Sequence, residues 1–214
     1  MFVNYDEYGL KCGRASDMIQ YMRIKRPASK QPLPPSARRV FKGVIFDVYQ
    51  WKQKMYDGSF DTFERMKRPD TASVIPVTKD GKIILCVQEQ PGRRAYYSTL
   101  GGRIDAGESP LAAAKRELLE EAGFESNDWV LLDAVQPVTK IDWAVFTFVA
   151  RGCVKVAKPR LDAGEKIDLL FVSFEKFIEL YLREDFGDKE IKAKILEAKL
   201  DPKKMKKLER LILG

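Results

Sequence analysis

Four glutamates lie close together in the chain, Glu108 and then Glu117, Glu120 and Glu121, with Arg116 among them. On a helix, residues three and four apart share a surface, so the last three carboxylates cluster. Like charges so placed repel by roughly a few tenths of a kcal/mol per pair on a solvated helix, and by more when partly buried. Two kinds of positive charge offset this. The guanidinium of Arg116 can brace a glutamate through a two-pronged hydrogen bond. Hard divalent cations, Mg2+ or Mn2+ as a substitute, take oxygen ligands and also coordinate substrate phosphates. Without a surrounding frame, such acids would read as one solvated face of a charged helix.

Other chemistries are excluded by composition. The 214 residues contain no histidine, which removes imidazole bases, Ser-His and Cys-His nucleophile pairs and His-ligated zinc. Catalysis is left to carboxylates, Lys, Tyr, Cys or a metal. Cys12, Cys86 and Cys153 are too few and too far apart for a disulfide framework or a CxxC metal site, and read as buried thiols of a reducing cytoplasm. No apolar run approaches the ~20 residues that span a bilayer, and the polar start does not read as a signal peptide, so a soluble cytoplasmic protein without a membrane partner is expected.

The net charge of +7 is unevenly placed. Residues 1–43 carry nine Lys/Arg against three acids, residues 199–214 carry six against two, and the middle is slightly acidic. Basic ends leave nucleic acid open as a partner, although simple solubility is the favoured reading.

The elements that must position the glutamates follow from turn and cap residues. Ser109 as N-cap, Pro110 as first helical residue and Gly123 as stop predict one helix between them, seated by Leu111, Ala114 and Leu118. Asp57-Gly58 and Asp80-Gly81 predict two hairpins, joining 44–51 to 59–66 and 71–77 to 82–88. Residues 95–100 read as one short strand, and 129–135, 143–151 and 167–173 as further strands. A short helix is expected around Asp17–Ile24, then a weakly ordered connector with four prolines between 27 and 36. Three helices close the chain, over 174–183, 189–199 and 202–213, the last capped by Asp201. Strands on both sides of one internal helix suggest an α/β sandwich on a mixed sheet.

The frame around the acids then becomes specific. From Gly102 to Phe124 the order is glycine, five residues, Glu108, seven residues, Arg116-Glu117, aliphatic Leu118, any residue, Glu120-Glu121, any residue, Gly123 and apolar Phe124. This resembles the Nudix box at every defined position. The resemblance implies a loop-helix-loop inside an α/β/α sandwich with an N-terminal β-hairpin, and a pyrophosphohydrolase that splits a nucleoside diphosphate linked to another moiety. It implies Glu117 and Glu121 as the principal ligands of Mg2+, with Glu120 contributing a ligand or positioning a water, the Gly101 carbonyl and Glu108 in the metal shell and Arg116 orienting the glutamates.

Residues 44–200 further resemble the ADP-ribose pyrophosphatase branch, in which a hairpin with an Asp-Gly turn precedes the catalytic domain and commonly exchanges between subunits, implying a homodimer. ADP-ribose or a related nucleoside diphosphate sugar is the implied substrate, with a dinucleotide polyphosphate, an oxidised nucleotide, an RNA cap, or a nucleic-acid-binding regulatory scaffold as alternatives. Gln90 stands where the branch tends to have Arg. Arg93 and Arg94 could substitute as phosphate cations or form a plain solvated turn. Glu165, in Gly164-Glu165-Lys166-Ile167, is the candidate general base or an ordinary loop acid. Arg68 is a further substrate candidate, and Trp51, Tyr96, Trp143 and Phe146 are base-stacking candidates on the substrate side unless they serve the core. The expected organisation is an extension (1–39), a hairpin region (40–70), the catalytic domain (71–200) and a basic C-terminal helix (201–214).

Overall fold

A computed structural model describes residues 24–161, 163, 164 and 166–214. Cys12, the helix expected from residue 17 and Glu165 lie outside the described residues, Ile24 excepted.

The first sheet is built on the hairpin β2 (Asp47–Lys54) and β3 (Phe60–Lys67), paired in register from Asp47–Lys67 to Lys54–Phe60. Its turn is held by Asp57, whose carboxylate accepts the N–H and hydroxyl of Ser59, and by Gly58 at φ +87°, the left-handed region where glycine carries no steric cost. A strand not anticipated from the sequence, β1 (Arg38–Lys42), adds antiparallel to β2. The adjacent prolines had weighted that stretch toward a connector.

The second sheet runs through β4 (Thr71–Thr78), β5 (Ile83–Gln90), β6 (Arg93–Ser98) and β7 (Leu100–Arg103). Beyond the box come β8 (Phe124–Glu125), β9 (Asp128–Val135), β10 (Ile141–Asp142, which joins the first sheet parallel to β3), β11 (Val145–Lys155) and β12 (Lys166–Val172). The backbone order is β12-β5-β4-β11-β8, with β4 and β11 parallel. The sheet is therefore mixed, and its central strands are apolar along their length because both faces are covered. Along β4, Ala72 and Val74 face one core, with Leu118 and Phe146, while Ile75 and Val77 face another, with Phe177, Ile195 and Ile212. This is the period-two alternation of a strand between two helical layers.

The first layer is α1 (Pro110–Glu117) and the turn that continues it. The second is α2 (Phe174–Tyr181), α3 (Lys192–Leu200) and α4 (Pro202–Leu213). Ser173 and Asp201 cap α2 and α4 by accepting the N–H of Lys176 and Lys203. Among the described residues no helix is long and apolar enough to cross a membrane.

Two departures from the expected elements shape the site. β4 and β5 share only the pair Val77–Ile83 and then diverge. The expected single strand at 95–100 is two: β6 stays with β5 and β7 crosses to β4, with Thr99 at the crossing. Residues 24–36, with no helix or strand, are tied to the body. Arg26 bonds both Asp70 (2.7 Å) and Asp142 (2.9 Å), and the Pro27 carbonyl accepts from Gln136.

Candidate active site

The box helix starts as its residues dictate. Ser109 has extended backbone angles, its hydroxyl accepts the N–H of Ala112, and Pro110 fills the first turn where no N–H is missed. Leu111, Ala113, Ala114 and Leu118 are buried against the sheet. The expected uniform α-helix to Gly123 is corrected at its end: Leu118–Ala122 forms a wider, π-helical turn closed by Gly123 at φ +72°. No residue type announces such a turn, and turns of this kind concentrate at functional sites. The wider turn shifts Glu121 round the axis relative to an α-helix.

The four glutamates accordingly divide. Arg116 grips Glu108 with a two-pronged bond, Nε to Oε1 at 3.0 Å and Nη2 to Oε2 at 3.1 Å. Its Nη1 donates to both Glu117 (2.8 Å) and Glu120 (3.1 Å), and Nη2 also donates to the Arg103 carbonyl. Glu121, only 6% exposed, turns to the sheet and accepts the N–H of Gly101 at 2.7 Å. Burial raises the Glu108 pKa, but the hydrogen bonds from Arg116 and the Asp105 N–H outweigh it, and the carboxyl stays below its usual range. Arg116 is correspondingly shifted upward by its bond to Glu108, against burial.

Two glycines make this contact possible. Gly101 has φ +143°, and a Cβ there would run into the backbone of Ala72 and Ser73. A Cβ on Gly102 would meet the Glu117 carboxylate. Strand β7 therefore carries no side chain where the glutamates approach it.

Among the described residues no three acidic or thiol side chains are already gathered as a metal cage. The donor set nevertheless fits a hard divalent cation. It is all oxygen, and Glu117 and Glu120 direct one oxygen each at a single cationic nitrogen.

Beside Glu121 and Gly101, where β4 and β5 part, a cavity of about 210 Å³ opens, lined also by Gln90, Arg93 and Tyr96. The Arg93 guanidinium lies 3.4 Å over the Tyr96 ring. Arg94 is exposed on β6 and is not among the lining residues. Trp51 is 6% exposed, edge-on to Phe63 in the first sheet and away from the cavity. Arg68 lies against the rings of Phe46 and Trp143, and its pKa is lowered by burial and by Arg103. Phe146 is core, and Trp143 donates to Thr71.

Sequence reasoning missed Asp188, which reaches the cavity from the loop before α3. It accepts both the N–H and the hydroxyl of Thr99 at 2.7 Å. In sequence it is one acid of an ordinary charged loop, and nothing marks it.

The profile of the NUDIX domain family matches residues 67–195. The chain is 29% identical over 145 residues to the ADP-ribose pyrophosphatase of Bacillus subtilis (strain 168), spanning 66% of this chain and 78% of that protein. It is 26% identical over 150 residues to the methanol dehydrogenase activator of Bacillus methanolicus, spanning 68% and 80%. The crystal structure of an ADP compounds hydrolase superposes with a TM-score of 0.64 at 23% identity, over 83% of this chain and 98% of that one, a likeness of fold.

Proposed function

The chain belongs to the Nudix family and is a Nudix pyrophosphohydrolase, and on that footing we propose that its substrate is ADP-ribose or a related nucleoside diphosphate sugar. Hydrolysis would join the oxygen of one water to one phosphorus while the bridging oxygen leaves on the other, giving a nucleoside monophosphate and a sugar phosphate.

The observation that carries this reading is the joint arrangement of Arg116 and the box glutamates. One guanidinium fixes Glu108, Glu117 and Glu120, while Glu121 is fixed separately by Gly101 at the edge of a polar cavity. The relative from Bacillus subtilis that bears the name ADP-ribose pyrophosphatase supports the choice of substrate.

Glu117, Glu120 and Glu121, with the Gly101 carbonyl and Glu108 nearby, would hold Mg2+, with Mn2+ as a substitute. Such a cation neutralises a diphosphate, acidifies a bound water and stabilises charge on the bridging oxygen. The protein's own part is positional: Arg116 keeps mutually repelling carboxylates in one orientation, and Gly101 and Gly102 admit them to the strand. Arg93, Gln90 and, more distantly, Arg68 are the proposed substrate-side polar groups, and Glu165 is the proposed base.

We also propose a cytoplasmic homodimer formed through the first sheet, which exposes the apolar side chains of Phe41 and Phe60. The deciding experiment is a screen of nucleoside diphosphate derivatives with magnesium and product analysis. AMP and ribose 5-phosphate from ADP-ribose are expected; much faster hydrolysis of nucleoside triphosphates, dinucleotide polyphosphates or capped RNA would overturn the substrate reading.

A further inference from the structure

The outer surface of the second helical layer carries features that neither the fold nor the reaction explains. On α4, Lys203, Lys206, Lys207 and Arg210 are all exposed and follow one another at helical spacing, so they form one stripe. Among the described residues none of these four side chains is in an ion pair, whereas their neighbour Lys204 is bonded to Glu197. Like charges three and four apart repel. Lys203 also sits in a first turn without an acid, where the helix dipole disfavours a cation. The helix is held instead by its other side, with Leu208 and Ile212 in the core beside Ile75 and Val77. The stripe is thus a cost that folding does not require.

Beside it, α3 turns apolar side chains to solvent. Ile195 and Ala198 are buried, whereas Leu196 is 47% and Leu200 87% exposed. With the exposed Ala193 the two leucines share one helical face. The buried residues of α3 and α4 belong to the same core, so the opposite sides of both helices look out of the molecule together. The Lys204–Glu197 bridge, at 3.0 Å, joins them along that surface. Glu197 thus marks the side of α3 nearest α4, and Lys192 and Lys199 border the leucines on the other side. Of the remaining acids of these helices, Asp201 caps α4 and Glu209 is half-buried.

From an apolar ridge bordered by cations, we propose that this face docks on an anionic lipid surface. Leu196 and Leu200 would enter the headgroup boundary, and Lys199, Lys203, Lys206, Lys207 and Arg210 would meet the lipid phosphates. Lying against a bilayer needs no spanning segment, so the expectation of a protein without a membrane partner, which rests on the missing span, does not reach this surface.

Two observations favour lipid over nucleic acid, which would also attract the cations. Faces that bind single strands set aromatic side chains among the basic ones for base stacking, and neither α3 nor α4 contains an aromatic residue. Two bare leucines serve no phosphate backbone, but they do serve an acyl boundary. The box helix packs on the other core, across the sheet, so a membrane at this face leaves the box uncovered.

The test uses the full chain, sedimented with vesicles of phosphatidylcholine alone and of phosphatidylcholine mixed with phosphatidylglycerol. Binding to the mixed vesicles is expected at about 0.1 M salt and should weaken strongly at about 1 M, as the screening length falls from about 10 Å to about 3 Å. Lys203→Ala, Lys206→Ala, Lys207→Ala and Arg210→Ala together should weaken it about a hundredfold or more, at about fivefold per charge. Leu196→Ser with Leu200→Ser should weaken it about tenfold, because both side chains leave water on docking. All the substituted side chains are exposed, so circular dichroism should show the fold kept, and hydrolysis without vesicles should not change. No sedimentation with the mixed vesicles, equal sedimentation with both kinds, or binding indifferent to the leucines overturns the proposal. Tighter binding of duplex DNA than of the mixed vesicles, with the leucine variant as tight as wild type, would also overturn it and give the stripe to nucleic acid. Loss of a doubled mass in the leucine variant would overturn it in favour of a second copy of the chain.

Discussion

The carboxylate of Glu121 is anchored to the backbone N–H of Gly101, 20 residues earlier, at 2.7 Å. The last glutamate of the box is thus fixed by the sheet, whereas the other three are fixed by Arg116. Glu121→Gln keeps an oxygen for the Gly101 bond and loses the charge. Turnover of ADP-ribose with magnesium should fall by about 100-fold or more, in line with loss of one electrostatic stabiliser, while the melting temperature changes little. Unchanged turnover would remove Glu121 from the mechanism.

The neighbouring glycines should fail in different ways. Gly101→Ala puts a Cβ against immovable backbone at a φ of +143° and should cost about 2 kcal/mol or more in denaturant unfolding. Gly102→Ala meets only the end of the Glu117 side chain, which can swing aside. It should lower activity about tenfold or more with a smaller loss of stability.

Arg116→Lys keeps one positive charge but cannot fork to Glu108 while also reaching Glu117 and Glu120. A loss of about 1–2 kcal/mol in thermal or urea unfolding is expected, scaled down from a fully buried network because the guanidinium is 30% exposed. Arg116→Ala leaves three carboxylates facing one another, so magnesium should raise its melting temperature more than it raises that of wild type.

Glu108 and Asp188 titrate with opposite signs. Burial pushes Glu108 up, but Arg116 holds it below its usual range. It therefore adds stability above the unfolded value of about 4.3, and that stability is lost as pH falls through the lower folded value. Burial raises Asp188 despite its bonds from Thr99. Stability from this group is present below about 3.9 and declines as pH rises through the folded value. Measured against wild type, Glu108→Gln should be penalised more at pH 7 than at pH 3, and Asp188→Asn penalised less at pH 7 than at pH 3. Parallel curves for either variant would refute its assignment.

Light scattering should give twice the chain mass, and Phe41→Lys with Phe60→Lys should give the single-chain mass with the fold retained by circular dichroism. Both side chains are more than half exposed, so neither substitution opens the core.

The parts of this structure that sequence made legible are those with stereochemical punctuation. Ser109-Pro110 and Gly123 bound the box helix, and Asp201-Pro202 bound the last helix, because each residue does a job that few others can do. The wider turn at Leu118–Ala122 was not legible, since helix formers permit either geometry and the sheet contact of Glu121 accompanies the choice. Nor was the split of one expected strand at Thr99, where the divergence of β4 from β5 decides pairing. The aromatic residues illustrate a different ambiguity. Trp51 and Phe146 have the composition of a base-stacking set, yet burial places both in packed interiors, while the polar cavity drew on Ser98, Thr99 and Asp188, common types with no spacing signature.

The parallel pairing of β4 with β11 joins Thr71 to Val145 and Val74 to Phe148. Partners so distant along the chain carry a large loop-closure cost, and such topologies fold slowly. A ribosome must deliver β11 before the central strand acquires that neighbour, so the glutamates of the box emerge well ahead of the scaffold that will hold them. Folding of this enzyme is therefore expected to be late and concerted, with the box helix waiting on a strand that follows it in synthesis.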